Sequence, residues 1–460
     1  MNEQNRVLLI IVVCLIFVSA PSAIRLIDGN SSLIGDKPYF NMKVAESIEK
    51  GENLAFPPDP YQYLLSVFEN KELLSIVLPI FFGLTSLLLI ALILKKISDS
   101  ITRTTTLFIL ALSPVFIYTF SVSSKYSFVL TLMLAGFLMF TNKGWKNLLA
   151  SAALFTPLIL FGNKEVFTIL FLLFLFTLTK KENKKRFAFL FGYLFILSAM
   201  YNLYIHNNFP MSVHTDFVQT GLFTNVISDF GAHIGIGFFM FILAFIGSYS
   251  LWKNKRENYL MLGLFLFTII AFFVREDFII YAGMILSWYS GIGLAYIYKR
   301  KWEMDILKYL TIITLVSGLL FSAVSYVNVI SHSQPTTEQI ESFEWMKSEL
   351  PEGVVFSHYS KGFFIEQTTG LPVYMNGFFK HKPDINEKYE ISEEIFYSRN
   401  QKKTKSLLQG IDYIWIDKDM KNGLVWNEKE EGLLFLLKDN ETFKKIYNTH
   451  KITIYGVRLN

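Results

Sequence analysis

The chain has 460 residues, of which 52% are hydrophobic and only 18% charged, with 45 phenylalanines, one cysteine and a net charge of +5. Soluble domains carry about 25% charged residues; this composition, with a mean hydropathy of +0.37, excludes a disordered, collagen-like or disulfide-stapled chain and points to a membrane protein. The single Cys14 allows neither an internal disulfide nor a cysteine-based zinc site, and the short, separated Lys/Arg clusters argue against nucleic acid as a partner.

Apolar runs occupy 7–24, 73–94, 105–120, 127–141, 148–162, 166–179, 187–205, 233–252, 259–274, 278–298 and 306–330. Most can cross a hydrocarbon core of about 30 Å, which predicts a polytopic α-helical membrane protein of about eleven transmembrane helices. The run 166–179 is short enough to be re-entrant instead. The first run has a second reading as a signal peptide, with Arg6, an apolar stretch and Val18-Ser19-Ala20.

The charges between the runs alternate. Lys95, Lys96 and Arg103, then Lys143 and Lys146, KKENKKR (180–186), KNKRE (253–257) and KRK (299–301) occupy every second connection. The other short connections hold single cations. Cytoplasmic loops carry the Lys/Arg excess. The N-terminus is therefore expected inside the cell membrane, with the loop 25–72 and a polar tail from about 331 outside. This divides the chain into a membrane domain, 1–330, and a small extracytoplasmic α/β domain, 331–460.

Within the loop 25–72, the segment 38–51 has Phe40, Val44 and Ile48 on one helical stripe, and a second short helix is predicted at 59–68 after Pro57-Pro58. Both read as helices lying on the membrane surface. In the tail, 336–350 reads as a helix with Thr336 as its cap, followed by strands at 353–357, 372–377, 412–417 and 451–457, with a helix near 430–446 between the last two. The tail carboxylates Glu366, Asp412, Asp417 and Asp419 show no partner in the sequence, so the chemistry is expected elsewhere.

No phosphate-binding P-loop, dinucleotide fingerprint or HExxH is present. Spaced glycines at 231–237 open an apolar run and read as helix packing. The runs hold almost no ionisable residue at their centres, which argues against an ion-coupled transporter. Polar groups gather instead at the outer ends: Asp28 and Asp36, Lys125, Asn163-Lys164-Glu165, His206, His214, Asp216, and Arg275-Glu276-Asp277. Two roles are open to Asp36, as a plain N-cap of the first surface helix or as a functional carboxylate.

These parts, in this order, resemble the GT-C superfamily of integral-membrane glycosyltransferases that use polyprenyl-linked sugars. GDKPYFNMKVAESIEKG (35–51) is similar to its acidic first-loop motif and surface helix. LSPVFIYTFSVSSKYSF (112–128) is similar to its third-helix proline and the following turn. REDFIIYAGMILSWYSGIGLAYI (275–297) is similar to its late helix, and FEWMKSELPEGVVFSHYSKGFFIEQTTGLPVYMNG (343–377) resembles the start of the external domain in oligosaccharyltransferase-like members. One departure stands out. Where catalytic oligosaccharyltransferase subunits carry WWDYG, this chain has His358-Tyr359-Ser360-Lys361-Gly362, which argues against asparagine-linked transfer.

The resemblance implies sugar transfer from a polyprenyl-phosphate donor to a lipid, glycan or protein acceptor, with inversion. Asp36 is then the expected base and Asp28 the second choice. Lys125, Arg275 and Lys164 are expected to hold the phosphate. A divalent cation stays open: Asp28, Asp36, Glu165 and Asp277 are carboxylates, but their spacing is no metal signature. Two other readings remain, a non-enzymatic lipid or polysaccharide translocation protein and an inactive scaffold.

Overall fold

The computed structural model describes residues 3–179, 183–209, 227–230, 234–274, 278–378, 384–428 and 430–458. The helices α1 (Glu3–Ile27), α2 (Lys37–Glu49), α3 (Pro60–Ser66), α4 (Lys71–Ile97), α5 (Ser100–Ala111), α6 (Pro114–Ser121), α7 (Lys125–Thr141), α8 (Trp145–Phe155), α9 (Leu158–Phe161) and α10 (Asn163–Thr179) come first. They are followed by α11 (Lys184–Asn208), α12 (Phe238–Trp252), α13 (Lys255–Val274), α14 (Ile279–Lys299) and α15 (Asp305–Ser331). Each apolar run of the sequence carries a helix or a broken pair of helices. By length and apolarity, α1, α4, α11, α14 and α15 can each cross a membrane, and α5 with α6 adds a sixth crossing as one span bent by 59°. The other runs form shorter or kinked helices, with a break at Asn258 inside α13.

Two of the breaks lie where the sequence reads as one continuous run. Leu112-Ser113 separates α5 from α6 because Pro114 has no N–H to continue the first helix and instead opens the second. Thr156-Pro157 separates α8 from α9 for the same reason. Helices α12 and α14 touch backbone to backbone. A Cβ at Gly247 would lie 2.0 Å from the Tyr289 carbonyl oxygen, and one at Gly293 would lie 2.1 Å from that of Leu243. Such contact needs glycine on both helices. By contrast α11 buries only Leu190 and Leu194, so most of its apolar side chains face outward.

The tail folds as α16 (Thr337–Glu349), β1 (Val355–Phe356), α17 (Gly362–Thr369), α18 (Ile385–Tyr397), α19 (Gln401–Leu407), β2 (Tyr413–Asp417), α20 (Leu433–Leu436), β3 (Phe443–Asn448) and β4 (Ile452–Val457). The sheet runs β1-β2-β4-β3, with β1 parallel to β2 and the other pairs antiparallel. Trp415 faces Ile454 in the register and both are fully buried. The expected strand at 372–377 reduces to one bridge, Val355 to Val373. The expected helix at 430–446 is a correction: only 433–436 is helical, and 443–448 is a strand. Beyond the helix, the Asp439 carboxylate accepts from the Glu441 amide and the Thr442 hydroxyl, closing an Asx turn that leads into the strand. Phe443 then pairs with Val457.

The apolar residues form two cores. One fills the bundle. The other lies around β2 and includes Leu33, Tyr39 and Met42 from the α1–α4 connection. The connection is thus shared between bundle and tail.

Candidate active site at the loop end of the bundle

The α1–α4 connection and the start of the tail meet at one end of the bundle. Arg25, in the last turn of α1, is fully buried. Its guanidinium donates to the carbonyls of Ser31 at 2.6 Å, Ser331 at 3.0 Å, Pro335 at 2.6 Å and Ser333. A buried cation needs its donors satisfied, and here four backbone oxygens do so. The result ties the end of α1 to the end of α15.

Asp36 immediately precedes α2. Its backbone is already helical (φ −82°, ψ −28°), and its side chain makes no cap bond. An N-cap normally has extended backbone and accepts from the first turn; Asp59, before α3, does this, accepting from the amides of Tyr61 at 3.0 Å and Gln62 at 3.1 Å. Pro38 at the second position of α2 also removes one of the amides a cap would serve. The Asp36 carboxylate is half-buried and has no hydrogen bond or ion pair among the described residues. Of the two roles open from the sequence, capping is the one it does not play.

Lys37 follows directly. Its Nζ donates to the Tyr118 hydroxyl at 3.1 Å and lies 5.4 Å from the Tyr118 ring centre and 5.7 Å from that of Tyr126. No carboxylate pairs with it among the described residues. Tyr126 also borders Lys125, whose Nζ is 5.6 Å from the ring centre. Lys125 is paired with the buried carboxylate of Glu165 at 3.2 Å and donates to the Phe161 carbonyl at 3.2 Å. Burial raises the Asp59 carboxyl above its ordinary value, against the opposing pull of Lys125 and the two α3 amides. Asp36, Lys37, Tyr118, Tyr126, Lys125, Glu165 and Asp59 therefore form one continuous polar line.

An apolar cavity of about 380 Å³ lies in the bundle, lined by none of these seven residues. Its lining includes Ile90, Phe116, Phe120, Phe137, Trp288 and Tyr281. Tyr281 meets Tyr126 edge-on at 6.5 Å between ring centres, which joins the cavity wall to the Lys37 site.

The sequence-derived residues are distributed unevenly. Asp36 and Lys125 lie on this line. Lys164 is half-buried at the start of α10, one residue before Glu165. Asp28 is exposed in the turn after α1, and no hydrogen bond or ion pair links its side chain to the line. Arg275, with Glu276 and Asp277, lies outside the described residues, as do His214 and Asp216. His206 is exposed near the end of α11. Among the described residues no group of three or more His, Cys, Asp or Glu is placed to hold a metal ion, and Glu165 is already committed to Lys125. Sequence reasoning missed Lys37 and Asp59. Their signals were present: Lys37 touches Asp36 in the chain, and Asp59-Pro60 has the form of a cap followed by a first-turn proline.

No protein-family profile matches the chain, and no curated protein matches it. Solved structures do. The apo oligosaccharyltransferase of Archaeoglobus fulgidus superposes with a TM-score of 0.65 at 12% identity, covering 91% of this chain and 70% of that one. The same enzyme, AglB, in complex with an inhibitory peptide and a dolichol-phosphate gives a TM-score of 0.62, again at 12% identity, with coverages of 91% and 70%. ArnT from Cupriavidus metallidurans bound to undecaprenyl phosphate gives a TM-score of 0.58 at 11% identity, covering 99% of this chain and 98% of that one. The likeness is one of fold. With its apolar helices and this likeness along nearly its whole length, the chain is a multi-pass membrane protein with a GT-C-like fold.

Proposed function

We propose that the protein transfers a sugar from a polyprenyl-phosphate carrier to an acceptor hydroxyl at the loop end of the bundle. The observation that carries this reading is the Asp36 carboxylate, unused as a cap and without an ion-pair partner among the described residues, beside Lys37 lodged between Tyr118 and Tyr126. Asp36 takes the proton of the acceptor hydroxyl as its oxygen attacks the anomeric carbon. The bond from that carbon to the phosphate oxygen breaks, and the phosphate leaves with the bonding pair. Lys37 balances its growing charge, with Lys125 behind it and Lys164 and Arg275 as further cations. One displacement inverts the anomeric centre. The carrier's hydrocarbon tail suits the apolar cavity. AglB was solved with a dolichol-phosphate and ArnT with undecaprenyl phosphate, which supports a polyprenyl-phosphate donor here.

The Lys/Arg alternation along the chain supports a cytoplasmic N-terminus. The Arg25 bonds place residues 331–335 beside the end of α1, so the tail, 331–460, would share the outer face with the loop 25–72. Membrane-impermeant labelling of Asn53→Cys and Lys402→Cys, in a Cys14→Ala background, is expected to succeed at both positions from outside. Labelling at only one would overturn this topology.

The rival reading, translocation without chemistry, has one observation in its favour. The cavity reaches Ile97 and Thr179, at the opposite ends of α4 and α10. Its lining is almost wholly apolar, which fits a hydrocarbon chain and not a sugar phosphate.

The test uses purified protein with a panel of undecaprenyl- and dolichyl-phosphate sugars, reading release of free polyprenyl phosphate. Asp36→Asn is expected to lower release by about 10²–10⁴-fold while undecaprenyl phosphate still binds. Asp28→Asn is expected to match the parent. Parental release by Asp36→Asn would remove Asp36 as the base. Undecaprenyl phosphate crossing vesicles without release would favour translocation.

A further inference from the structure

Outside the polar line, the tail holds a second cluster of buried charge. Lys361 is fully buried, and its Nζ lies 2.8 Å from Asp417 Oδ2, with Asp419 Oδ2 at 3.6 Å. Asp417 is 3% exposed and saturated: its Oδ2 also accepts from Gln339 Nε2 at 2.8 Å, and its Oδ1 accepts from the Met420 amide at 2.9 Å. Lys361 lies in the stretch that stands where oligosaccharyltransferases carry WWDYG, yet its side chain points into the tail's interior.

The cluster connects outward through Gln339, whose Oε1 accepts the Thr336 amide at 2.9 Å, and through Gln334. Lys361 Nζ donates to Gln334 Oε1 at 2.6 Å, and Gln334 Nε2 donates to Asp419. The backbone carbonyl of the same Gln334 accepts the amide of Gly35 at 2.9 Å. Gly35 has φ +74°, a left-handed conformation that glycine adopts without strain, and it immediately precedes Asp36. Gln334 therefore joins a rigid, fully paired ion cluster to the backbone that carries Asp36. The linker is gripped from its other side by Arg25, through Ser331, Ser333 and Pro335. A second contact runs in parallel. Gly362, next to Lys361, packs so closely on Met375 and Asn376 that a Cβ there would meet them at 2.6–2.7 Å. The following Gly377 faces Asp36, whose Oδ2 is 4.0 Å from the position of a Cβ there.

We propose that Gln334 is a positioning residue. It transmits the fixed geometry of the Lys361–Asp417 pair to the Gly35–Asp36 backbone, so the tail sets where the proposed base stands. This rests on Asp36 being that base. The tail then acts on the reaction without contacting the reacting atoms, and displacement of the linker moves the carboxylate. Misplacing a reacting group by about 1 Å can cost 10²-fold in rate.

The test is a double-mutant cycle in the full chain. Gln334→Ala removes the link to Lys361 and leaves the buried pair intact. It is expected to lower release of undecaprenyl phosphate, from the panel donor the parent turns over fastest, by about 10-fold or more, with little change in KM. In an Asp36→Asn background the same substitution is expected to have no further effect, because the group it positions is gone. Gln334→Glu keeps an oxygen for Lys361 but gives up the bond to Asp419, and is expected to restore part of the rate. Hydrogen exchange of the Gly35 amide is expected to quicken in Gln334→Ala and not in Gln334→Glu. Equal losses from Gln334→Ala in both backgrounds, or unchanged Gly35 exchange, would overturn the proposal. Full activity of Asp36→Asn would instead overturn the base assignment, while the exchange measurement would still decide whether Gln334 holds the loop.

Discussion

Two lysines, one in each half of the molecule, are built in opposite ways. Lys361 is fully buried and meets Asp417, Asp419 and Gln334. Lys37 is half-buried, is held by a hydroxyl and two ring faces, and stands next to a carboxylate with no bond among the described residues. A charge inside protein is tolerated when paired and hydrogen-bonded. Lys361 has spent its charge on that pairing and holds structure. Lys37 has charge left for an anion. Burial alone does not mark a functional cation; the unspent charge does.

The comparison is broken most strongly at Lys361. Replacing it with Met leaves Asp417 charged and unpaired in the interior, and unfolding in detergent is expected to show a loss of about 3–5 kcal/mol. Lys37→Met strands no ion-pair partner and is expected to change stability far less. Near-equal losses would erase the distinction.

His358, close to the Lys361 pair, sharpens the contrast through pH. Burial, and then Lys361, hold its imidazole down to about 4, with Asp417 opposing. The unfolded chain takes up that proton near the ordinary value of 6.5. Stability is therefore expected to fall as pH drops from about 6.5 to about 4, by roughly 3 kcal/mol at 1.36 kcal/mol per pH unit. Below about 4 this group adds no further loss. His358→Gln should flatten the slope, and an unchanged slope would show that other groups carry it.

At Lys37 the expected effect is on binding. A hydrogen bond to a charged group contributes about 1.5–3 kcal/mol. Lys37→Met should therefore weaken undecaprenyl phosphate binding by about 10–100-fold, measured by titration in detergent. Binding equal to the parent's would give the phosphate to Lys125 or another cation. The smallest effect is expected at the exposed pair of Lys451 and Glu338. Glu338→Ala should cost under about 1 kcal/mol, because water and salt screen such pairs. A larger loss would mean that exposure does not separate the two kinds of charge.

Much of the fold was legible in the sequence. The apolar runs, the α2 and α3 helices, α16 and the β1, β2 and β4 strands could be read because hydropathy, periodicity and proline or cap signals act over a few neighbouring residues. Asp36 could be singled out in the same way, as an acid at a helix entry. What failed was non-local. The end of the expected helix 430–446 instead becomes the strand 443–448, because Asp439 closes a turn and β4 offers an edge. Asp417 showed no partner because Lys361 lies 56 residues away and arrives from the N-cap of α17. Lys37 adjoins Asp36 in the sequence, but only folding brings Tyr118 and Tyr126 of α6 and α7 over it. Lys125 looked free, and folding gave it Glu165. Local sequence determined which segments are apolar and where most of their helices begin. Tertiary structure alone decided which charges are spent on one another and which are left over, because pairing depends on elements meeting in space and no short-range signal encodes that meeting.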